Sequence, residues 1–540
     1  MSYREEPYRL DAGVLGRIEG ITFASGASPA AYYFGGLPYA LPPTGEFRFR
    51  VPRKLPKGYK YGTAANPGRF TGGTGICPQP PCRAPPERAH FDEDCLQLNI
   101  WIPSGPPPEN GWPVLFYLHG GFLQWGSANW RPLSLVPLLE DSAFRGILVL
   151  PSYRLNAFGF LASSELAAEA KANGEPFGNL GLWDQRAALE WTHENLAGFG
   201  GDPTNITISG YSAGGYSAFQ QLGHELFCLP AEKGIIKRLA MWSNGPGVTP
   251  RSLEEQQVQF DEFLQKLGIP LDLTAEEKLS KLRSLPYENL MEVQAGMRIH
   301  EFRPVSDGVF YHQDLMNKIN NGDFGRAMKK RGVKLLNGEC KDEHTVYRNW
   351  RTPDNSYEAV YRRLCTEYPE SVASKLMTHY CGSSKDLPSG FENWQVLFGH
   401  MYANMQVHGL ERGLHKALCK GGLVPGTDLL RYRFERRLDC IKEAFPVSMG
   451  VTHSSDVPIW FWGAADFSGL LEEEKRMLKG WNEGFMAFVK GEEVVWGPST
   501  ITQMRRWRAD GETDVWQDEA WQAGQDLWEL VNQGASSQTL

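Results

Sequence analysis

Gly210-Tyr211-Ser212-Ala213-Gly214-Gly215 sets a serine among small residues. A serine hydroxyl becomes a nucleophile where a base can take its proton. It is best presented on a sharp strand-to-helix turn, where larger neighbouring side chains would collide. The helix start behind it favours negative charge. The bare G-x-S-x-G pattern is weak evidence, since roughly 0.3 matches arise by chance in a glycine-rich chain of this size. Its flanks decide: strand-like Asn205-Ile-Thr-Ile-Ser209 precedes it and a helix-like run, 213–222, follows. A second signal, Tyr117-Leu118-His119-Gly120-Gly121-Phe122, lies about 90 residues earlier, at the end of another apolar run. A glycine loop of this kind can aim consecutive backbone N–H groups at a developing oxyanion, although an ordinary glycine turn reads the same alone.

A nucleophilic serine also needs an acid and then a histidine further along. After strand-like Val333–Leu336 comes Asn337-Gly-Glu-Cys-Lys-Asp342-Glu343-His344, and later Met449-Gly-Val-Thr-His453-Ser-Ser-Asp456. Spacing does not separate Asp342 from Glu343. Nor does it choose His453 over His400, His408 or His415.

The positioning elements are legible as a pattern. Short apolar runs at 113–118, 146–150, 205–209 and 333–336 alternate with helical stretches such as 181–197. Buried strands alternating with helices predict a mainly parallel sheet covered on both faces, an α/β architecture. Helical, charged text at 251–300 and 355–420 reads as insertions into one domain spanning 1–540, because no flexible linker flanks it.

Bulk properties exclude other classes. The 540 residues carry a net charge of -8, and no basic run stands out; a nucleic-acid binder needs a basic face. No apolar stretch approaches the roughly 20 residues of a membrane span, and the N-terminal residues lack a secretory core, so a cytoplasmic protein is expected. Nine cysteines, an odd number, fit mostly reduced thiols. The sequon Asn205-Ile206-Thr207 opens an apolar strand, a poor glycan site. No phosphate loop, dinucleotide fingerprint or H-E-x-x-H is present, so neither cofactor nor metal is implied. Cys77, Cys82, His90 and Cys95 have zinc-ligand types, but at no standard spacing.

From about residue 13 to 500 the sequence resembles the type-B carboxylesterase/lipase family, which includes cholinesterases, liver-type carboxylesterases and fungal lipases. The likeness rests on Phe34-Gly-Gly-Leu-Pro-Tyr-Ala-Leu-Pro-Pro-Thr-Gly-Glu-Phe-Arg48-Phe, Glu93-Asp-Cys95-Leu-Gln-Leu-Asn-Ile-Trp, Ser152-Tyr-Arg-Leu-Asn-Ala-Phe-Gly-Phe-Leu, and Gly178-Asn-Leu-Gly-Leu-Trp-Asp184-Gln through Phe199-Gly-Gly-Asp-Pro to the serine turn. It implies an α/β-hydrolase fold and an intracellular, fungal-type carboxylesterase. By resemblance the acid is Glu343, in a "K-D-E-G" segment whose glycine is His344 here, and the base is His453. Oxyanion donors would be Gly121, Phe122 and Ala213. Arg48 and Glu93 match a buried ion pair, while Ser243 and Asp456 match supporting positions behind the catalytic groups.

Three departures limit the inheritance. Tyr211 stands where relatives carry a glutamate beside the serine. Phe122 stands at a glycine, so its ring, with Leu123 and Trp125 following, is expected to crowd the acyl side of the substrate pocket. The Cys77–Cys95 segment resembles the family's first disulfide loop but has no tryptophan; its shortness argues against cholinesterase or interfacial lipase activity. The expected function is hydrolysis of small soluble esters, with no nucleic-acid or membrane partner. The alternatives are lactone, amide or elimination chemistry, or a non-catalytic binding protein; the last is disfavoured because Ser212, Glu343 and His453 all stand.

Overall fold

A computed structural model describes residues 3–80, 91–464 and 469–532. Its centre is one large sheet whose principal strands, in chain order, are β1 (Arg4–Asp11), β2 (Arg17–Ser25), β3 (Ser28–Pro38), β4 (Gln97–Pro103), β5 (Trp112–Leu118), β6 (Ile147–Pro151), β7 (Gly201–Tyr211), β8 (Ile236–Trp242), β9 (Lys334–Cys340), β10 (Leu429–Phe434), β11 (Gln503–Trp507) and β12 (Thr513–Gln517), with the two-residue strand Gly68–Arg69 beside β2. They lie in the order β1-β2-β3-β4-β6-β5-β7-β8-β9-β10-β11-β12. From β6 through β11 every neighbouring pair is parallel. Antiparallel strands close both ends.

The expected parallel sheet is therefore present, and period-two alternation explains its two cores. Along β5, Val114, Phe116 and Leu118 enter one apolar cluster, whereas Leu115 and Tyr117 enter the cluster on the other face. Both sets are buried because helices cover both faces. The antiparallel β1–β3 edge escaped the sequence reading: β1 is largely exposed and polar, so it carries no apolar run.

The helical text at 251–300 forms helices Leu253–Lys266, Ala275–Ser284 and Tyr287–Gln294, the first two begun by capping boxes at Ser252 and Thr274. The stretch 355–420 forms Tyr357–Glu367, Glu370–Cys381, Trp394–Ala403, a π turn over Asn404–His408, and Gly409–Lys420. The last of these is fastened to the sheet rather than projecting from it. Its Arg412 donates to Glu339 of β9 at 2.9 Å and to Asp518 at 2.8 Å.

Candidate active site

Ser212 follows β7 directly and caps the helix Ala213–Phe227. Its backbone is strained, at φ 55° and ψ −126°, a region that L-residues with a Cβ rarely occupy. The surrounding glycines make the turn sterically feasible. A Cβ on Gly210 would lie 2.2 Å from the Gly214 carbonyl, and one on Gly214 would lie 2.0 Å from Leu118 O. The Ser212 N–H donates to Trp242 O of β8 at 2.9 Å, which pins the turn to the sheet.

The His453 imidazole meets Ser212: Nε2 lies 2.9 Å from the Ser212 Oγ, and Nδ1 lies 2.5 Å from Glu343 Oε2. The other Glu343 oxygen accepts the Cys340 N–H at 2.8 Å, so the carboxylate is held from two sides. Burial pushes the Glu343 carboxyl upward, but His453, His408 and the Cys340 N–H together outweigh it and the net shift is below the ordinary carboxylate range. Asp342 faces elsewhere, accepting the Val451 N–H at 2.9 Å and so bracing the segment that carries His453. His400 stacks on His344, His408 pairs with Glu339, and His415 meets Asn337. Of these candidates, His453 and Glu343 are the ones that the structure brings to Ser212.

The loop after β5 lies against Ser212. A Cβ on Gly120 would sit 3.1 Å from the Ser212 Cβ. Gly121, Phe122 and Leu123 all have positive φ, at 112°, 58° and 64°. Buried amides hold this shape: Gln79 bonds both the N–H and the carbonyl of Gly126, and Gln124 donates to Phe302 O at 2.6 Å. His119 is stacked on Tyr153, and burial lowers its pKa to about 4, which keeps it neutral. The N–H groups of Gly121, Phe122 and Ala213 donate to no group among the described residues. Unpartnered donors beside a serine are what an oxyanion hole requires.

Tyr211 packs its ring 4.8 Å from that of His453 and hydrogen-bonds the Ser454 hydroxyl. Burial keeps its phenol protonated. Behind it, Asp456 accepts from Ser243 Oγ at 2.7 Å and Tyr432 OH at 2.8 Å. Burial and the Glu343 charge push the Asp456 carboxyl up to about 6. Arg48 and Glu93 are paired, and Arg48 also donates to Leu285 O at 2.6 Å, tying this ion pair to the 251–300 helices.

A cleft of about 680 Å³, open mouth included, leads to Ser212. Phe122 and Leu123 line it. Trp125 does not: its ring packs on those of Phe122 and Trp350, with Arg351 over its face. Positive φ at Phe122 and Leu123 turns the loop, and Trp125, two residues further on, leaves the cavity. The opposite wall includes Arg251, Arg303, Glu367 and Tyr368, at or beside the two helical insertions. None of these stands out in the sequence, because a lone arginine among many carries no pattern.

Cys77 and Cys95 form a disulfide, with Cα atoms 5.2 Å apart. The six other described cysteines are free, consistent with mostly reduced thiols, and the bridge removes both sulfurs from the zinc alternative; Cys82 and His90 lie outside the described residues. No group of residues suited to a metal occurs among the described residues, and no described helix is long and apolar enough to cross a membrane.

A mainly parallel sheet with a strained serine at the end of a central strand, met there by a histidine, defines the α/β-hydrolase class. A solved structure, EstA of Aspergillus niger, superposes with a TM-score of 0.73 over 97% of this chain and 98% of that one, at 21% identity, which speaks to the fold. The model of the carboxylesterase family matches residues 9–517. A carboxylic ester hydrolase of Gibberella moniliformis is 60% identical over 99% of this chain and 98% of its own length. An esterase/lipase of Schizosaccharomyces pombe is 37% identical over 96% of each. The para-nitrobenzyl esterase of Bacillus subtilis is 33% identical over 63% of each. The chain belongs to the carboxylesterase family and is an enzyme of the carboxylic ester hydrolase class.

Proposed function

We propose that the protein hydrolyses small soluble carboxylic esters through an acyl-enzyme on Ser212, with His453 as base and Glu343 as its orienting acid. The observation that carries this reading is the unbroken Ser212–His453–Glu343 hydrogen-bond chain, at 2.9 and 2.5 Å. Ser212 Oγ attacks the ester carbonyl while His453 Nε2 takes its proton. Glu343 holds the Nδ1–H tautomer and stabilises the imidazolium. The N–H groups of Gly121, Phe122 and Ala213 receive the tetrahedral oxyanion. His453 then protonates the departing alkoxide, and the Ser212 acyl ester remains. Water, deprotonated by His453, attacks that ester; collapse releases the carboxylic acid and returns the proton to Ser212.

The Phe122 ring on the cleft wall supports a preference for short acyl chains, since a buried ring displaces several methylenes of substrate. Ser212→Ala is expected to abolish hydrolysis of 4-nitrophenyl butyrate and labelling by an organophosphate, with the melting temperature unchanged. Retained labelling at another residue would overturn the assignment.

A further inference from the structure

The loop after β5 is gripped at its far end by a side chain from a distant segment. Gln79 is 2% exposed. Its Oε1 accepts the Gly126 N–H at 2.9 Å, and its Nε2 donates to the Gly126 carbonyl at 3.0 Å. No other described group hydrogen-bonds either of these backbone atoms. The segment carrying Gln79 is itself fixed: Nε2 also donates to Cys77 O at 3.0 Å, Asn156 Nδ2 donates to Pro78 O at 2.8 Å, and Cys77 is bridged to Cys95. Both ends of the amide are thus in use, and buried backbone groups that lost them would go unsatisfied.

Gly126 lies against the root of the loop. A Cβ there would stand 2.6 Å from Gly120 O and 2.3 Å from His119 Nδ1. Gly120 O belongs to the same peptide group as the Gly121 N–H, and His119 Nδ1 holds that carbonyl at 2.8 Å. A peptide group is planar, so tilting its carbonyl re-aims the N–H on its opposite edge. The intervening chain is closed on itself, since the N–H groups of Gln124 and Trp125 both donate to Gly121 O, at 2.9 and 3.1 Å. A shift of Gly126 therefore reaches Gly121 both through the packing against Gly120 and through this turn.

We propose that Gln79 is a positioning residue of the reaction, whose clamp on Gly126 keeps the Gly121 N–H aimed at the developing oxyanion. This rests on the reading of Ser212 as nucleophile and of Gly121, Phe122 and Ala213 as oxyanion donors. Gln79 does not line the cleft. Its loss should raise the barrier to acylation while leaving the fit of the uncharged ground state alone.

The test uses Gln79→Met, which keeps the volume and removes the clamp, and Gln79→Glu, which keeps the shape. Three quantities are measured: kcat and KM for 4-nitrophenyl butyrate, inhibition by a trifluoromethyl ketone that forms an oxyanion on Ser212, and inhibition by 4-nitrophenyl butyl ether, which has no carbonyl. Gln79→Met should lower kcat by roughly ten- to a hundred-fold, the usual effect of misplacing a group by about 1 Å. The trifluoromethyl ketone should weaken by a similar factor, and the ether should bind as before. In Gln79→Glu the new carboxyl faces the Gly126 and Cys77 carbonyls, which hold its proton on to roughly neutral pH. Protonated, it donates and accepts as the amide did. The kcat of Gln79→Glu relative to wild type should be near one at about pH 5.5 and fall as pH rises to about 8.5. His119, with its pKa lowered to about 4, stays neutral throughout. Should Gln79→Met fail to fold, this pH profile decides the matter.

A folded Gln79→Met variant with wild-type kcat overturns the proposal, as does a ratio for Gln79→Glu that does not change with pH. Equal weakening of ketone and ether overturns it too, because the whole cleft would then have been lost. Wild-type enzyme that cleaves the ester but binds the ketone no better than the ether overturns the oxyanion reading beneath it. Enzyme that cleaves no ester overturns the Ser212 reading.

Discussion

Replacing Tyr211 with glutamate puts a negative charge beside the general base, in a site where the native neighbour is neutral. The Tyr211 and His453 rings are 4.8 Å apart. A carboxylate at about 5 Å from the imidazolium gains roughly 0.8 kcal/mol at a dielectric of about 80, and about 1.7 kcal/mol at about 40. At about 1.4 kcal/mol per pKa unit, that is a rise of roughly 0.6 to 1.2 units. The sign follows from which form the charge favours: imidazolium is stabilised, so the active, unprotonated base appears only at higher pH. Glu343 and Asp456 lie close enough to raise the phenol of Tyr211, and their repulsion would hold the new carboxyl partly protonated, which favours the lower end of the range. The assay is kcat/KM against pH for 4-nitrophenyl butyrate, comparing wild type with Tyr211→Glu and Tyr211→Gln. The acidic limb should move up in Tyr211→Glu alone, while Tyr211→Gln controls for loss of the ring and of the Ser454 hydrogen bond. An unmoved limb in a folded Tyr211→Glu variant would refute electrostatic contact between position 211 and His453.

Glu343→Gln should lower kcat by roughly 10³–10⁴-fold, as loss of an orienting acid does elsewhere, whereas Asp342→Asn should chiefly lower the melting temperature; the reverse ranking in steady-state kinetics would contradict the assignment. Phe122→Ala should shift the best nitrophenyl ester toward longer acyl chains, read as kcat/KM from acetate to decanoate; an unchanged profile would remove Phe122 from the acyl pocket. Asp456 is raised to about 6 from 3.8, so the native state keeps a proton that the unfolded chain releases. That costs stability progressively as pH rises from about 4 through 6, by about 3 kcal/mol at most. Denaturant unfolding of Asp456→Asn should gain relative to wild type across that window, and parallel curves would count against the shift. Replacing Cys77 and Cys95 with serine should cost about 3 kcal/mol, the usual value for a loop of roughly this size, measured by urea unfolding under oxidising conditions.

The chemistry-bearing segments were readable because each meets a local demand. Gly210 and Gly214 are dictated by backbone atoms within about 2 Å of where a Cβ would stand, and the apolar runs of β5, β6, β7 and β9 reflect burial on both faces. The family likeness then singled out Glu343 and His453 from neighbours of the same chemical type. What tertiary structure decided is whatever depends on contact between distant segments. Asp342 and Glu343 are adjacent in the chain, yet one braces Val451 and the other reaches His453, because the backbone turns between them. Trp125 is removed from the cleft by the positive-φ turn at Phe122 and Leu123. Arg251 finds its partners only in three dimensions, where the distant carbonyls of Cys365 and Tyr368 accept from its guanidinium. A one-dimensional pattern records which side chains are present and which faces they prefer. It does not record which of them are satisfied by residues a hundred positions away.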